Sequence, residues 1–208
     1  MLEALAERIE AREEALGVGL GWRLLYSPAT TVEHARIAFI GLNPGGRAED
    51  PRHAQLAPPR GSAYRDEAWG RHPAGRAPLQ VQVQRMCALL DEPAERVLAG
   101  NLVPYRSPRW TDLPDRKGAV AFGQSLWSEI LTRAAPELII TMGAEATTAV
   151  SAVFGNPERT KLPVSWGSVS GHHAAAGGVR LVGLPHLSTF RIFGRPASAA
   201  ALERLFFE

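Results

Sequence analysis

Ile37-Ala38-Phe39-Ile40-Gly41-Leu42-Asn43-Pro44-Gly45-Gly46 is a short apolar run that stops at a turn. The first four residues suit a strand buried on both faces, and Asn-Pro-Gly-Gly suits a tight turn after it. Three further runs read the same way: Val97 to Asn101, Leu138 to Met142 and Val179 to Leu184. Between them lie stretches with helical spacing at Leu79 to Leu90, Ala119 to Ala134 and Ala144 to Phe154, and a closing helix spans Ala197 to Phe207. Leu2, Leu5, Ile9 and Leu16 mark an amphipathic helix within residues 1–20. Such alternation predicts an α/β fold, a three-layer α/β/α sandwich around a central four-stranded, mainly parallel sheet. Residues 47–78, rich in Arg, Pro and Gly, read as a long loop. Residues 155–178 read as a second irregular section, with at most a short strand near Val164.

Open sheets of this type bind ligands beyond the carboxyl ends of their strands. Asn43, Asn101 and His186 all fall at that edge. Each residue taken singly also fits a bland role: Asn43 and Asn101 as turn residues, His186 as a structural histidine. Their coincidence at one edge points to a site.

The chain has 208 residues, 45% of them apolar and 21% charged, which suits a single globular domain without metal or disulfide support. Its one cysteine, Cys87, excludes an internal disulfide framework, a cysteine-held iron–sulfur cluster and a cysteine-rich zinc site. The start of the chain is acidic and amphipathic, unlike a signal peptide, and no apolar run approaches the ~20 residues that span a bilayer. A cytoplasmic protein is expected, with no membrane partner. Net charge is only +2, yet Arg159 to Leu202 contains no Asp or Glu while carrying Arg159, Lys161, Arg180, Arg191 and Arg195. That stretch reads either as a face for a phosphate backbone or as an ordinary solvated surface. His172-His173 lacks the acidic neighbours of a metal site.

Five segments, taken in order over roughly residues 36–195, resemble the uracil-DNA glycosylase superfamily. Gly41-Leu42-Asn43-Pro44-Gly45 is similar to its first motif, in the Asn-Pro-Gly form of the mismatch-specific and single-strand-selective branches. Gly61-Ser62-Ala63-Tyr64 is similar to the segment carrying the aromatic residue that stacks on the flipped base. Gly100-Asn101-Leu102-Val103-Pro104 resembles the strand end that reads the pyrimidine edge. Pro136 to Ala146 resembles a strand-to-helix element, and His186-Leu187-Ser188 stands where the second motif has His-Pro-Ser-Pro.

The resemblance implies a DNA base-excision glycosylase that needs no cofactor or metal, acting as a monomer on uracil or a related damaged base in DNA. It implies that Asn43 orients the attacking water and that His186 stabilises the leaving base. Gly41, Leu42, Pro44, Gly45, Tyr64 and Asn101 would then contact the base, and Ser188, Thr189, Phe190 and Arg191 the DNA. Such a nucleotide must leave the stack to reach the site. Phe190 matches the position of the intercalating residue. Leu187 and Thr189 replace the two prolines of the second motif, and Gly45 replaces the tyrosine that closes stricter relatives to C5-substituted bases. Two alternatives remain: a non-catalytic nucleic-acid or base-binding module of the same fold, and a hydrolase of a small N-glycoside.

Overall fold

The computed structural model describes residues 1–48, 53 and 55–208. Helices α1 (Leu2–Leu16) and α2 (Thr31–His34) precede the first strand, β1 (Ile37–Gly41); α3 (Ala63–Asp66), α4 (Pro78–Leu89), β2 (Leu98–Asn101), α5 (Arg116–Ala134), β3 (Leu138–Met142) and α6 (Ala144–Val153) follow. Then come β4 (Thr160–Trp166), β5 (Val169–Ala176), β6 (Val179–Leu184) and α7 (Ala199–Phe207). The sheet has six strands in the order β2-β1-β3-β6-β5-β4. β2, β1, β3 and β6 pair in parallel, and β5 joins β6 and β4 antiparallel.

The parallel strands are where the apolar runs predict them, because each buries side chains on both faces. Alternate residues feed two separate clusters. Ala38, Ile40, Ile139 and Leu181 pack with Leu5 and Ile9 of α1, with Trp127 and Ile130 of α5, and with Ala149 of α6. Phe39, Ile140, Val182 and Leu184 pack with Met86 of α4 and with Leu205 and Phe206 of α7. Helices therefore cover both faces.

The expected four-stranded sheet is corrected to six by the β4–β5 hairpin, which lies in the section read as irregular. Its sequence, with Ser170, Gly171, His172 and His173, offers neither an apolar run nor a clean alternation. These residues are extended because the exposed edge of β6 supplies a template: His173 pairs with Val182 and Ala175 with Arg180. β4 ends the sheet, where Pro163 costs no ladder hydrogen bond. The 47–78 segment contains a four-residue helix, α3, capped by the Ser62 hydroxyl, which accepts from the Tyr64 amide at 3.3 Å. The part of the predicted loop at residues 49–52 and 54 lies outside the described residues.

The opposite edge of the sheet, β2, is covered by residues 22–26. The Tyr26 amide donates to the Ala99 carbonyl at 2.7 Å and the Asn101 amide to the Leu24 carbonyl at 3.2 Å. This pairing brings Arg23 and Tyr26 to the carboxyl end of β2. Gly41 closes β1 opposite Asn101. A Cβ at position 41 would lie 2.5 Å from Asn101 Oδ1, so only glycine leaves that amide in place. Gly41→Ala should therefore shift the Asn101 side chain and cost about 1–3 kcal/mol by overpacking. Thermal denaturation measures the loss of stability.

Among the described residues no helix is long and apolar enough to cross a membrane.

Candidate functional site

The turn after β1 is zipped to the segment after β2. Leu102 and Val103 amides donate to the Gly41 and Leu42 carbonyls, both at 2.9 Å, and the Ser107 amide donates to Pro44 at 3.1 Å. Asn43 completes the join. Its Nδ2 donates to Ser107 Oγ at 2.8 Å, to the Pro44 carbonyl at 3.1 Å and to the Tyr105 carbonyl at 3.3 Å. Two of those partners are carbonyls and can only accept, so the amide has one orientation. With its donors committed, Asn43 offers Oδ1, an acceptor of the kind that holds a water by one of its protons.

His186 follows β6. The Gly143 amide donates to the Leu184 carbonyl at 2.9 Å, tying the ends of β3 and β6, and residues 186–190 form one turn through Thr189 and Phe190 amides on the His186 carbonyl. Leu187, standing where the resemblance expects proline, is fully buried and anchors this turn to the core. The His186 Nδ1 and Ser188 Oγ are 2.8 Å apart. Partial desolvation lowers the His186 pKa, so the ring is neutral at pH 7. If the Ser188 hydroxyl donates to Nδ1, Nε2–H is left as a donor.

A cavity of about 630 Å³ joins these ends, lined among others by Leu42, Asn43, Gly45, Tyr64, Asn101 and His186. The sheet order explains the convergence, since β2, β1, β3 and β6 are consecutive neighbours. Gly41 and Pro44 shape the turn from behind and are absent from the described lining. Asn101 is 6% exposed and lines the cavity together with Tyr26. Burial pushes the Tyr26 phenol up, against the opposing pull of Arg23 and Arg106.

Tyr64 is only 2% exposed. Its ring stacks on Tyr26, centroids 5.4 Å apart, and meets Phe39 and Trp69 edge-on. Little of its face is left for a base. Trp69 and Trp110, both half-buried and both lining the cavity, offer the more accessible aromatic surface. Ser188, Thr189, Phe190 and Arg191 lie on the loop outside the described lining. Thr189 and Arg191 are exposed, and Phe190 packs edge-on against Trp166 of β4 at 6.3 Å.

The cavity wall includes a largely buried ion pair that no sequence motif announces. Arg23, 2% exposed, donates from both terminal nitrogens to Glu67 at 2.7 Å, and from Nε to the Leu25 carbonyl at 3.2 Å. Trp69 Nε1 donates to the same carboxylate at 3.1 Å, and the guanidinium lies 4.3 Å from the Tyr26 ring centre. Burial alone would raise the Glu67 pKa, but the hydrogen bonds and charge of Arg23 hold it below the ordinary carboxylate value. The pair fixes Trp69 and Tyr26.

Cys87 is buried, with its thiol pushed by desolvation up to about 12, and takes no part. Among the described residues no group of three His, Cys, Asp or Glu side chains is placed to hold a metal ion.

No family model matches this chain, and no curated protein does. Among solved structures it is similar to a "putative tRNA synthase" from Salmonella typhimurium LT2, with 14% identity. The match covers 82% of this chain and 42% of that one, with a TM-score of 0.34. A likeness of that size carries no argument about fold or function. The functional reading rests on the cavity itself.

Besides the sequence candidates, that cavity is lined by Arg23, Tyr26, Trp69, Arg106 and Ser107. Arg106 and Ser107 stand two and three residues after the Asn101 motif, and that proximity is the signal by which they could be found. Arg23, Tyr26 and Trp69 come from segments without periodicity.

Proposed function

We propose that this chain is a DNA glycosylase of the uracil-DNA glycosylase superfamily, a three-layer α/β/α protein that hydrolyses the N-glycosidic bond of uracil or a related damaged base. The observation that supports it is the convergence of Asn43, Asn101 and His186 on one cavity, each at the carboxyl end of one of the four parallel strands. Cleavage of a base from deoxyribose passes through an oxocarbenium-like sugar, so the protein must hold a water and stabilise a leaving anion. Asn43, with its amide nitrogen committed, presents a carbonyl oxygen to the water. The neutral His186 donates a hydrogen bond to the base oxygen on which negative charge develops. Asn101, with donor and acceptor on one amide, matches a pyrimidine edge. The exposed turn after His186, with Ser188, Thr189 and Arg191, faces the phosphates, and Phe190 fills the gap left by the extruded nucleotide. No cofactor or metal is required for these steps, and a monomer suffices.

Space at Gly45 sets the substrate range. A Cβ there meets nothing within 4 Å, and the cavity has room for a base larger than uracil. Gly45→Tyr should leave uracil excision within a few-fold of wild type and lower excision of 5-hydroxymethyluracil and thymine at least about tenfold, since a lost fit of 1–3 kcal/mol is of that order. Paired single-turnover assays on the three bases check this.

The reading is tested with labelled single- and double-stranded oligonucleotides carrying uracil, hypoxanthine, xanthine or 5-hydroxymethyluracil, cleaved at abasic sites with alkali. Strand breaks that vanish in His186→Ala and Asn43→Ala are expected. Binding without breaks would favour a base-binding module, and hydrolysis of a free nucleoside alone would favour a small N-glycoside hydrolase.

A further inference from the structure

β3 lies between β1 and β6 in the sheet. Whatever follows β3 therefore emerges between Asn43 and His186. The chain there runs through Gly143 into α6, whose first turn carries Glu145. Glu145 lines the same cavity as Asn43 and His186, and it is the single carboxylate among the described lining residues. It is exposed, and among the described residues it makes no hydrogen bond or ion pair. The neighbouring carboxylate, Glu67, is consumed by Arg23 and Trp69. An acidic residue in a first helical turn also favours the helix dipole, but that role does not need the side chain to border a cavity.

We propose that Glu145 supplies the negative charge that Asn43 lacks: its carboxylate faces the sugar of the bound nucleotide, stabilises the cation at C1′ and takes the proton of the attacking water. This rests on the glycosylase reading above. The C1′–N bond breaks with its electron pair leaving on the base. The oxygen of one water bonds to C1′, and the proton it loses passes to Glu145 and on to solvent. The departed base anion takes up one proton from solvent. In the free protein water screens the carboxylate; a nucleotide filling the cavity displaces that water and strengthens its field at the sugar. Asn43 then orients the water, His186 holds the leaving base, and Glu145 carries the charge between them.

The test compares two abasic-site analogues within the same oligonucleotide, a cationic pyrrolidine and the neutral tetrahydrofuran. The wild type should prefer the cationic analogue, and E145Q should reduce that preference about tenfold while leaving affinity for the neutral one unchanged. In single turnover, E145Q should slow base release by about 10²-fold and E145D should recover part of it. An E145Q protein with an unchanged preference, or with a rate within twofold of wild type while His186→Ala is inactive, overturns the role of Glu145 alone. A wild type that releases no base and binds neither analogue above undamaged DNA overturns the glycosylase reading and this role together.

Discussion

Glu67→Ala should destabilise the protein by about 3–5 kcal/mol, the usual consequence of leaving one member of a buried ion pair without its partner. Arg23, 2% exposed in the intact protein, would keep its Nε bond to the Leu25 carbonyl but lose the acceptor of its two terminal nitrogens. The melting temperature should fall by about 10 °C, as a domain of this length loses roughly 2–4 °C per kcal/mol. The effect reaches the site, because Glu67 holds the Trp69 indole and Arg23 lies over Tyr26, and both aromatic residues line the cavity. Glu67→Gln keeps the shape and should cost less. It also separates charge from packing through pH. The folded carboxyl titrates below its ordinary value of 4.5. Its stabilisation is therefore complete above pH 4.5 and is lost as pH falls through the folded pKa. The glutamine variant should lack that component of acid unfolding, and urea titrations across pH 3–7 measure it.

His186→Ala should lower the rate of base release by about 10²–10³-fold, the cost of removing one donor to a developing oxyanion. His186 as a whole residue is exposed although its ring is partly desolvated, and its one side-chain hydrogen bond among the described residues is to Ser188, so the fold should be unaffected. A stability change far larger than that of Ser188→Ala would place the imidazole among structural groups instead. The pH signature has the opposite cause to that of Glu67. Desolvation keeps the folded ring neutral below its ordinary pKa of 6.5, so the unfolded chain binds the proton first. Stability contributed by neutral His186 is present above pH 6.5 and declines below it; His186→Ala should remove that slope.

The four parallel strands were legible because a strand buried on both faces must be apolar throughout, and Ile37 to Ile40, Leu138 to Met142 and Val179 to Leu184 are nearly so. The β4–β5 hairpin was not legible, because His172, His173 and Ala174 become a strand only when the edge of β6 pairs with them. The positions of Asn43, Asn101 and His186 were readable for the same topological reason as the strands: polar residues directly after apolar runs fall at one edge. The walls between them were not. Tyr26 reaches the cavity through backbone bonds from residues 22–26 to β2, and Trp69 through a carboxylate held by Arg23, contacts between segments far apart in sequence. Tyr64 shows the reverse case. It lines the cavity that its motif suggests, yet its ring is spent on Tyr26, Phe39 and Trp69, which leaves Trp69 and Trp110 as the more accessible aromatic faces.

The central claim is that the cavity shared by Asn43, Asn101 and His186 separates a base from DNA by hydrolysis. Mass spectrometry of the free base released from an oligonucleotide carrying a single uracil or related damaged base, in water enriched in ¹⁸O, measures this directly. Free base and abasic DNA should form in equal amounts, with the heavy oxygen on the sugar, and about 10²–10³-fold more slowly with His186→Ala than with the wild type. Free base formed equally by both proteins, or none from any damaged base by a folded wild type, would contradict it.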